Sequence, residues 1–131
     1  MKILVCGDRK WSDQDTMLRV LRKIREKQDN CKGIVTVIHG AAKGADSMAG
    51  KIANSFAKSH AWRVKPFSAN WKKFGNSAGP IRNRQMLKEK PDLVLAFHNN
   101  LKKSKGTLDM VQIALETGAR VKLYKKNDKK A

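Results

Sequence analysis

Ile34-Val35-Thr36-Val37-Ile38-His39-Gly40-Ala41-Ala42-Lys43-Gly44-Ala45-Asp46 is the stretch that decides the fold. Its first five residues are apolar or β-branched, the composition of a buried strand. Two glycines four apart, set among small residues, follow at once. Residues 45–59 then carry Met48, Ile52, Ala53 and Phe56 at helical spacing. A buried strand, a glycine loop and an amphipathic helix make the first two-thirds of a β-α-β unit, the crossover a parallel sheet requires.

The same alternation continues in both directions. Residues 2–6 (KILVC) are a short apolar run that stops at Gly7. Residues 13–28 place Met17, Val20, Leu21 and Ile24 on one helical face; Ser12 or Asp13 can cap that helix, and Gln28-Asp29-Asn30 ends it. Residues 61–65 (AWRVK) read as a weaker strand. A long loop over 66–79 carries Pro66, Trp71, Phe74, Gly75 and Gly79, and loops of that length are more often functional than idle. Pro80 suits the first position of a helix running to about Lys88. The strand 93–97 (LVLAF), a lysine-rich loop at 98–105, a helix over 106–117 stopped by Gly118, and a strand over 120–124 complete the order. The pattern βαβαβαβαβ predicts a single three-layer α/β domain of Rossmann-like type, with a five-stranded, mainly parallel sheet and helices on both faces. That domain spans 1–125, and residues 126–131 read as a basic flexible tail.

Composition narrows the function classes. The 131 residues include 29 Lys and Arg against 11 Asp and Glu, a net charge of +18. Such a balance attracts anions: nucleotides, nucleic acid or an acidic surface. No apolar run approaches the roughly eighteen residues of a membrane helix. Met1 to Gly7 turns polar too soon for a signal peptide and reads as a first strand. Cys6 and Cys31 show no metal or redox spacing and read as free thiols of a reducing cytoplasm. The three histidines form no zinc pattern, so neither a metal nor a cofactor is expected.

In parallel sheets of this kind ligands sit beyond the carboxyl ends of the strands, which selects the loops 7–12, 39–45, 66–80 and 98–107. The first contains Gly7, Arg9 and Trp11: a tight turn, a forked anion donor, and an indole that serves either as a base platform or as a core anchor. The second contains His39, Gly40, Ala41, Lys43, Gly44 and Asp46; amides at the start of its helix suit a phosphate, and Asp46 equally suits the helix dipole. It is neither a Walker A motif nor G-x-G-x-x-G. The third ends in Arg82-Asn83-Arg84, two cations at a helix N-terminus that call for an anionic ligand or a carboxylate partner. The fourth offers Gly106 and Thr107 at a helix start, with Asp109 as ion-pair anchor or acid/base group and His98 as a loop histidine.

Taken together, Gly7-Asp8-Arg9-Lys10-Trp11, Val37-Ile38-His39-Gly40-Ala41-Ala42-Lys43-Gly44-Ala45-Asp46, Trp71 with Ala78-Gly79-Pro80-Ile81-Arg82-Asn83, and Lys105-Gly106-Thr107 resemble the YspA, or cpYpsA-related, branch of the SLOG superfamily. The resemblance implies a nucleotide or nucleotide-derived ligand and, by default, a homodimer. Among SLOG proteins the LOG enzymes are phosphoribohydrolases, others are thought to sense nucleotide signals, and the DNA-processing protein A family binds single-stranded DNA. Carried over from LOG, the catalytic arginine falls near Arg84 and the catalytic acid nearest to Asp109. Here the chain departs from that pattern: Pro-Gly-Gly is replaced by Lys-Lys-Ser, and the glutamate position falls on Met110. Three readings therefore stand. The ligand is bound and its N-glycosidic bond cleaved; it is bound intact by a sensor or sponge; or the chain is a nucleic-acid-binding module.

Overall fold

The structure, a computed structural model, describes residues 1–28 and 33–131. The expected helix end at Asp29-Asn30 and the position of Cys31 lie outside those residues. Five strands form one sheet: β1 (Lys2–Gly7), β2 (Val35–His39), β3 (Trp62–Pro66), β4 (Leu93–Phe97) and β5 (Val121–Tyr124). Their spatial order is β3-β2-β1-β4-β5, and every pairing is parallel. Helices α1 (Gln14–Gln28) and α2 (Ala45–Phe56) cover one face. The short α3 (Trp71–Phe74) precedes α4 (Ala78–Leu87), which covers the other face together with α5 (Lys105–Glu116).

The alternation of side chains along each strand explains why two layers of helix are needed. Ile3, Val5, Val37, Leu95 and Phe97 pack with Met17, Leu21, Ala49, Ile52 and Phe56 on the α1/α2 side. Their neighbours Leu4, Cys6, Ile38, Val94 and Ala96 pack with Met86, Met110, Val111 and Ala114 on the α4/α5 side. A strand apolar on both faces must be covered on both, and each fully buried aliphatic side chain contributes roughly 1.5–3 kcal/mol. The edge strands differ: Arg63 and Lys65 on β3, and Lys122 on β5, hold charge where another chain would otherwise pair.

Several boundaries differ from the sequence reading, each for a local reason. The loop 66–79 contains a helical turn, α3, whose Asn70 side chain accepts from the Lys73 amide at 3.1 Å. A 3-10 turn over Gly75–Ser77 leads directly into α4, so Pro80 is third rather than first in the helix. Its missing N–H still falls among the first-turn amides that have no intrahelical partner. Asp13, rather than Ser12, caps α1 through the Thr16 amide at 3.1 Å. Helix α2 ends at Phe56 instead of 59. Residues 126–131, expected as a flexible tail, turn back onto the body. The Asn127 amide donates to Asp13 at 2.8 Å, the Lys126 amide donates to Asn99 at 2.7 Å, and Ala131 is buried against the α1 side.

Gly44 joins the first two loops. Its φ is +77°, and a Cβ there would lie 2.3 Å from the Asp8 carbonyl oxygen. Gly44→Ala is therefore expected to cost at least about 2 kcal/mol of unfolding free energy in urea. Gly106→Ala meets nothing within 4 Å and should change stability by no more than about 0.5 kcal/mol. Equal losses for the two variants would contradict this account of the loop contact.

Candidate functional site

The chain leaves β1 toward α1 on one face and leaves β4 toward α5 on the other. Adjacent strands whose connections part in this way open a crevice between their C-terminal ends. A cleft of about 310 Å³ lies there. Cys6, Gly7, Asp8, Arg9 and Lys10 line it after β1, with Ala42 and Asp46 from the second loop and α2. Arg82, Asn83 and Met86 of α4, His98 after β4, and Lys103 to Thr107 with Met110 complete the lining. Five cationic side chains (Arg9, Lys10, Arg82, Lys103 and Lys105) face two carboxylates, Asp8 and Asp46. A second hollow of about 360 Å³ adjoins it, lined by Gly40 to Lys43, Ser68, Ala69 and Trp71. Arg9, Ala42 and Arg82 border both.

The second loop is held from within. The Gly40 and Ala42 amides donate to Asp46 Oδ2 at 3.1 and 3.3 Å, and the Ala41 amide donates to His39 Nδ1 at 2.9 Å. Three of the loop amides at 40–45 expected to cradle a phosphate, those of Gly40, Ala41 and Ala42, are thus satisfied by the protein's own side chains. Burial pushes the Asp46 carboxyl up to about 6, against the pull of those amides and of Arg82. Burial also holds His39 below its usual range, so it is neutral at pH 7; with Nδ1 accepting, the ring proton sits on Nε2, which packs toward Gly50. Arg82 Nη1 donates to the Gly40 carbonyl at 2.7 Å. A Cβ on Gly40 would lie 2.8 Å from that guanidinium and 2.9 Å from Asp46, so a larger residue there must displace one of them.

Around the first loop, the Asp8 carboxylate accepts from the Lys10 amide at 2.9 Å and lies 3.9 Å from His98 Nε2. Gly7 is required by the sheet, since a Cβ there would sit 2.3 Å from the Phe97 carbonyl oxygen. Trp11 is a core residue, 6% exposed and edge-on to Phe97 at 5.5 Å, which removes it from base stacking. The indole beside the site is Trp71, 48% exposed, with the Arg9 guanidinium 5.8 Å from its ring centre. Cys6 lies at the cleft wall, where burial and then Asp46 push its thiol up, away from nucleophilic thiolate.

On the far wall, the Ser104 side chain caps α5 by accepting from the Thr107 amide at 3.2 Å. Lys105 and Gly106 form the first helical turn, where amides lack intrahelical acceptors, and Gly106 opens onto free space. Asn83 is buried and ties α4 to α5. Its Nδ2 donates to Asp109 Oδ2 at 3.0 Å and to the Gly106 carbonyl at 3.3 Å, while its Oδ1 accepts from Arg82 Nε at 3.3 Å. Asp109 thereby bonds an amide between the helices and is not part of the cleft lining. Arg84 is exposed, donates to the Pro80 carbonyl at 3.2 Å, and borders neither hollow. Lys43 lines only the second hollow, and Thr107 only the first. Among residues the sequence reading did not single out, Asp8, Lys10, Lys103, Ser104 and Lys105 all border the cleft. Their signal was position in loops 7–12 and 98–107. Among the described residues no cluster of His, Cys, Asp or Glu could hold a metal, and no helix is long and apolar enough to cross a membrane.

Fold and cleft define a doubly wound α/β protein with a cationic crevice at its topological switch point. The YAcAr model, described as the YspA, cpYpsA-related SLOG family, matches residues 1–74. The gene 61 protein of Mycobacterium phage D29 is 33% identical over 119 residues, covering 89% of this chain and 90% of that protein. The chain belongs to the YspA, cpYpsA-related SLOG family.

The raised Asp46 carboxyl has a thermodynamic signature. Its folded value of about 6 lies above the ordinary 3.8, so the folded state holds the extra proton between those limits. Stability from this group is complete below pH about 4 and is lost as pH rises through about 6, by on the order of 3 kcal/mol. Asp46→Asn retains an amide-accepting oxygen and removes the titration. Between pH 4 and 7 the variant should therefore gain unfolding free energy relative to the parent. A constant difference across that range contradicts the assignment.

Proposed function

We propose that the cleft binds a nucleotide or nucleotide-derived ligand by its phosphate. The observation that carries this reading is the convergence of Arg9, Lys10, Arg82, Lys103 and Lys105 on one crevice, beside the open first turn of α5 at Gly106. A helix N-terminus with forked guanidinium donors opposite it is an arrangement suited to an anion. Family membership favours a nucleotide over other anions. The phosphate rests between α5 and the arginines, and the remainder of the ligand extends into the adjoining hollow toward Trp71.

We read the protein as holding this ligand intact, as a sensor or sponge does, rather than cleaving its N-glycosidic bond. The two groups suggested by the LOG likeness, Arg84 and Asp109, stand outside the cleft lining. Each of the carboxylates that do line it is occupied by a backbone amide: Lys10 on Asp8, and Gly40 and Ala42 on Asp46. A cytoplasmic location and a homodimer complete the proposal, the dimer on resemblance alone; a monomer by light scattering overturns that part.

Calorimetric titration with a panel of nucleoside monophosphates tests the binding. Arg9→Gln should weaken a binding nucleotide roughly 10- to 100-fold, the usual worth of a charge-assisted hydrogen bond. Gly106→Ala should weaken it at least about tenfold at unchanged stability, because its new Cβ enters the space assigned to the phosphate. Release of free base at high protein concentration would defeat the non-hydrolytic reading. Absence of binding by every nucleotide would defeat the cleft itself.

A further inference from the structure

Beside the cleft an exposed aromatic face reaches further than a mononucleotide extends. Trp71 and Phe74 stand at the two ends of α3, 48% and 41% exposed. Among the described residues no other aromatic side chain is exposed to that degree. A protein surface rarely leaves two large rings in water without a use for them. Three residues apart on one helical turn, they share a face. Trp71 is held in place: Arg9 lies over it at 5.8 Å, and its benzo edge rests against Gly79, where a Cβ would come within 3.3 Å of the ring.

Cations surround these rings and acids do not. Lys72 and Lys73 are exposed on the same turn, and Lys73 Nζ lies 5.1 Å from the centre of the Phe74 ring. No Asp or Glu occurs anywhere between Asp46 and Glu89. The hollow lined by Trp71 continues through Arg9 and Arg82 into the cleft. Two exposed rings with two lysines between them, beside a cationic cleft, match a strand with stacked bases and a charged backbone. A duplex, whose bases are already stacked on each other, cannot use the rings.

We propose that the ligand of this cleft is a segment of single-stranded nucleic acid, with one phosphate in the cleft and a neighbouring base on the Trp71–Phe74 face. This rests on the phosphate-binding reading of the cleft and extends it outward along α3.

The test uses the full chain, a ten-nucleotide oligo(dT), a ten-nucleotide oligo(U), thymidine monophosphate, and a duplex of equal length. Trp11 and Trp62 are buried, so emission changes on binding report mainly Trp71. Both single strands should quench that emission and bind at least tenfold more tightly than the mononucleotide or the duplex. Trp71→Ala and Phe74→Ala should each weaken oligonucleotide binding roughly five- to a hundredfold, the range for loss of one base–aromatic stack. Trp71→Phe should recover part of it, and Phe74→Ala, at a residue that borders neither hollow, should not alter mononucleotide affinity more than about threefold. Oligonucleotides that bind no better than the mononucleotide, bind equally as duplex, or are indifferent to Trp71 and Phe74 overturn the proposal while leaving the cleft reading intact. If Gly106→Ala and Arg9→Gln also leave every ligand unaffected, the cleft reading falls with it.

Discussion

The backbone at Asp8 and Arg9 leaves no room for a side chain at position 44, and the geometry of the whole ligand edge depends on that exclusion. The Asp8 carbonyl accepts from the Trp11 and Ala45 amides, both at 3.1 Å, so one oxygen closes the first turn and anchors the start of α2. The Asp8 amide in turn donates to the Phe97 carbonyl at 2.9 Å, which ties the end of β1 to the end of β4. Three of the four loops therefore share one short piece of backbone. The fourth, at the start of α4, is brought in by Arg82 on the Gly40 carbonyl and by Asn83 on the Gly106 carbonyl. The cleft is what remains between segments fixed to each other, so its shape follows from main-chain contacts more than from the side chains that line it.

Much of the architecture was legible in the sequence because β1, β2 and β4 are buried on both faces and announce themselves as continuous apolar runs. The helices α1, α2 and α5 were equally legible from their 3.6-residue period. Helix α3 was not, since four residues hold barely one period, and its cap is a single asparagine. The choice of loops also followed from the chain order. Which residue in each loop faces the cleft did not. Arg82 and Arg84 differ by about 200° around a helix, and only the packing of α4 decides which one enters the cleft. Trp11 read as either a platform or a core residue; its place against Phe97 comes from a strand 86 positions further on. The glycine loop looked like a phosphate cradle, yet its amides are claimed by His39 and Asp46. That competition involves a tautomer and a buried carboxylate, neither of which a spacing rule can register.

The distribution of acids gives the net charge its meaning. Asp13, Asp46, Asp92 and Asp128 all accept from backbone amides, and Asp109 accepts from Asn83. Among the described residues only Glu89 and Asp128 pair directly with a lysine, Lys65 and Lys130. Most of the described aspartates are thus consumed in shaping turns and caps, and among the described residues few cations have a salt-bridge partner. The positive field of the molecule is left to be balanced from outside, by salt or by a ligand.

Asp46 connects this field to the cleft. Its carboxyl is half-titrated near pH 6 while bonded to the two amides that set the shape of the second loop. An anion seated a few ångströms away would raise its proton affinity further, because like charges disfavour ionisation. Occupancy of the cleft is then linked to proton uptake by a largely buried group in its wall. The protein would take up a proton together with its ligand in mildly acidic conditions and little or none at higher pH, so that the heat of binding would vary with the ionisation enthalpy of the buffer.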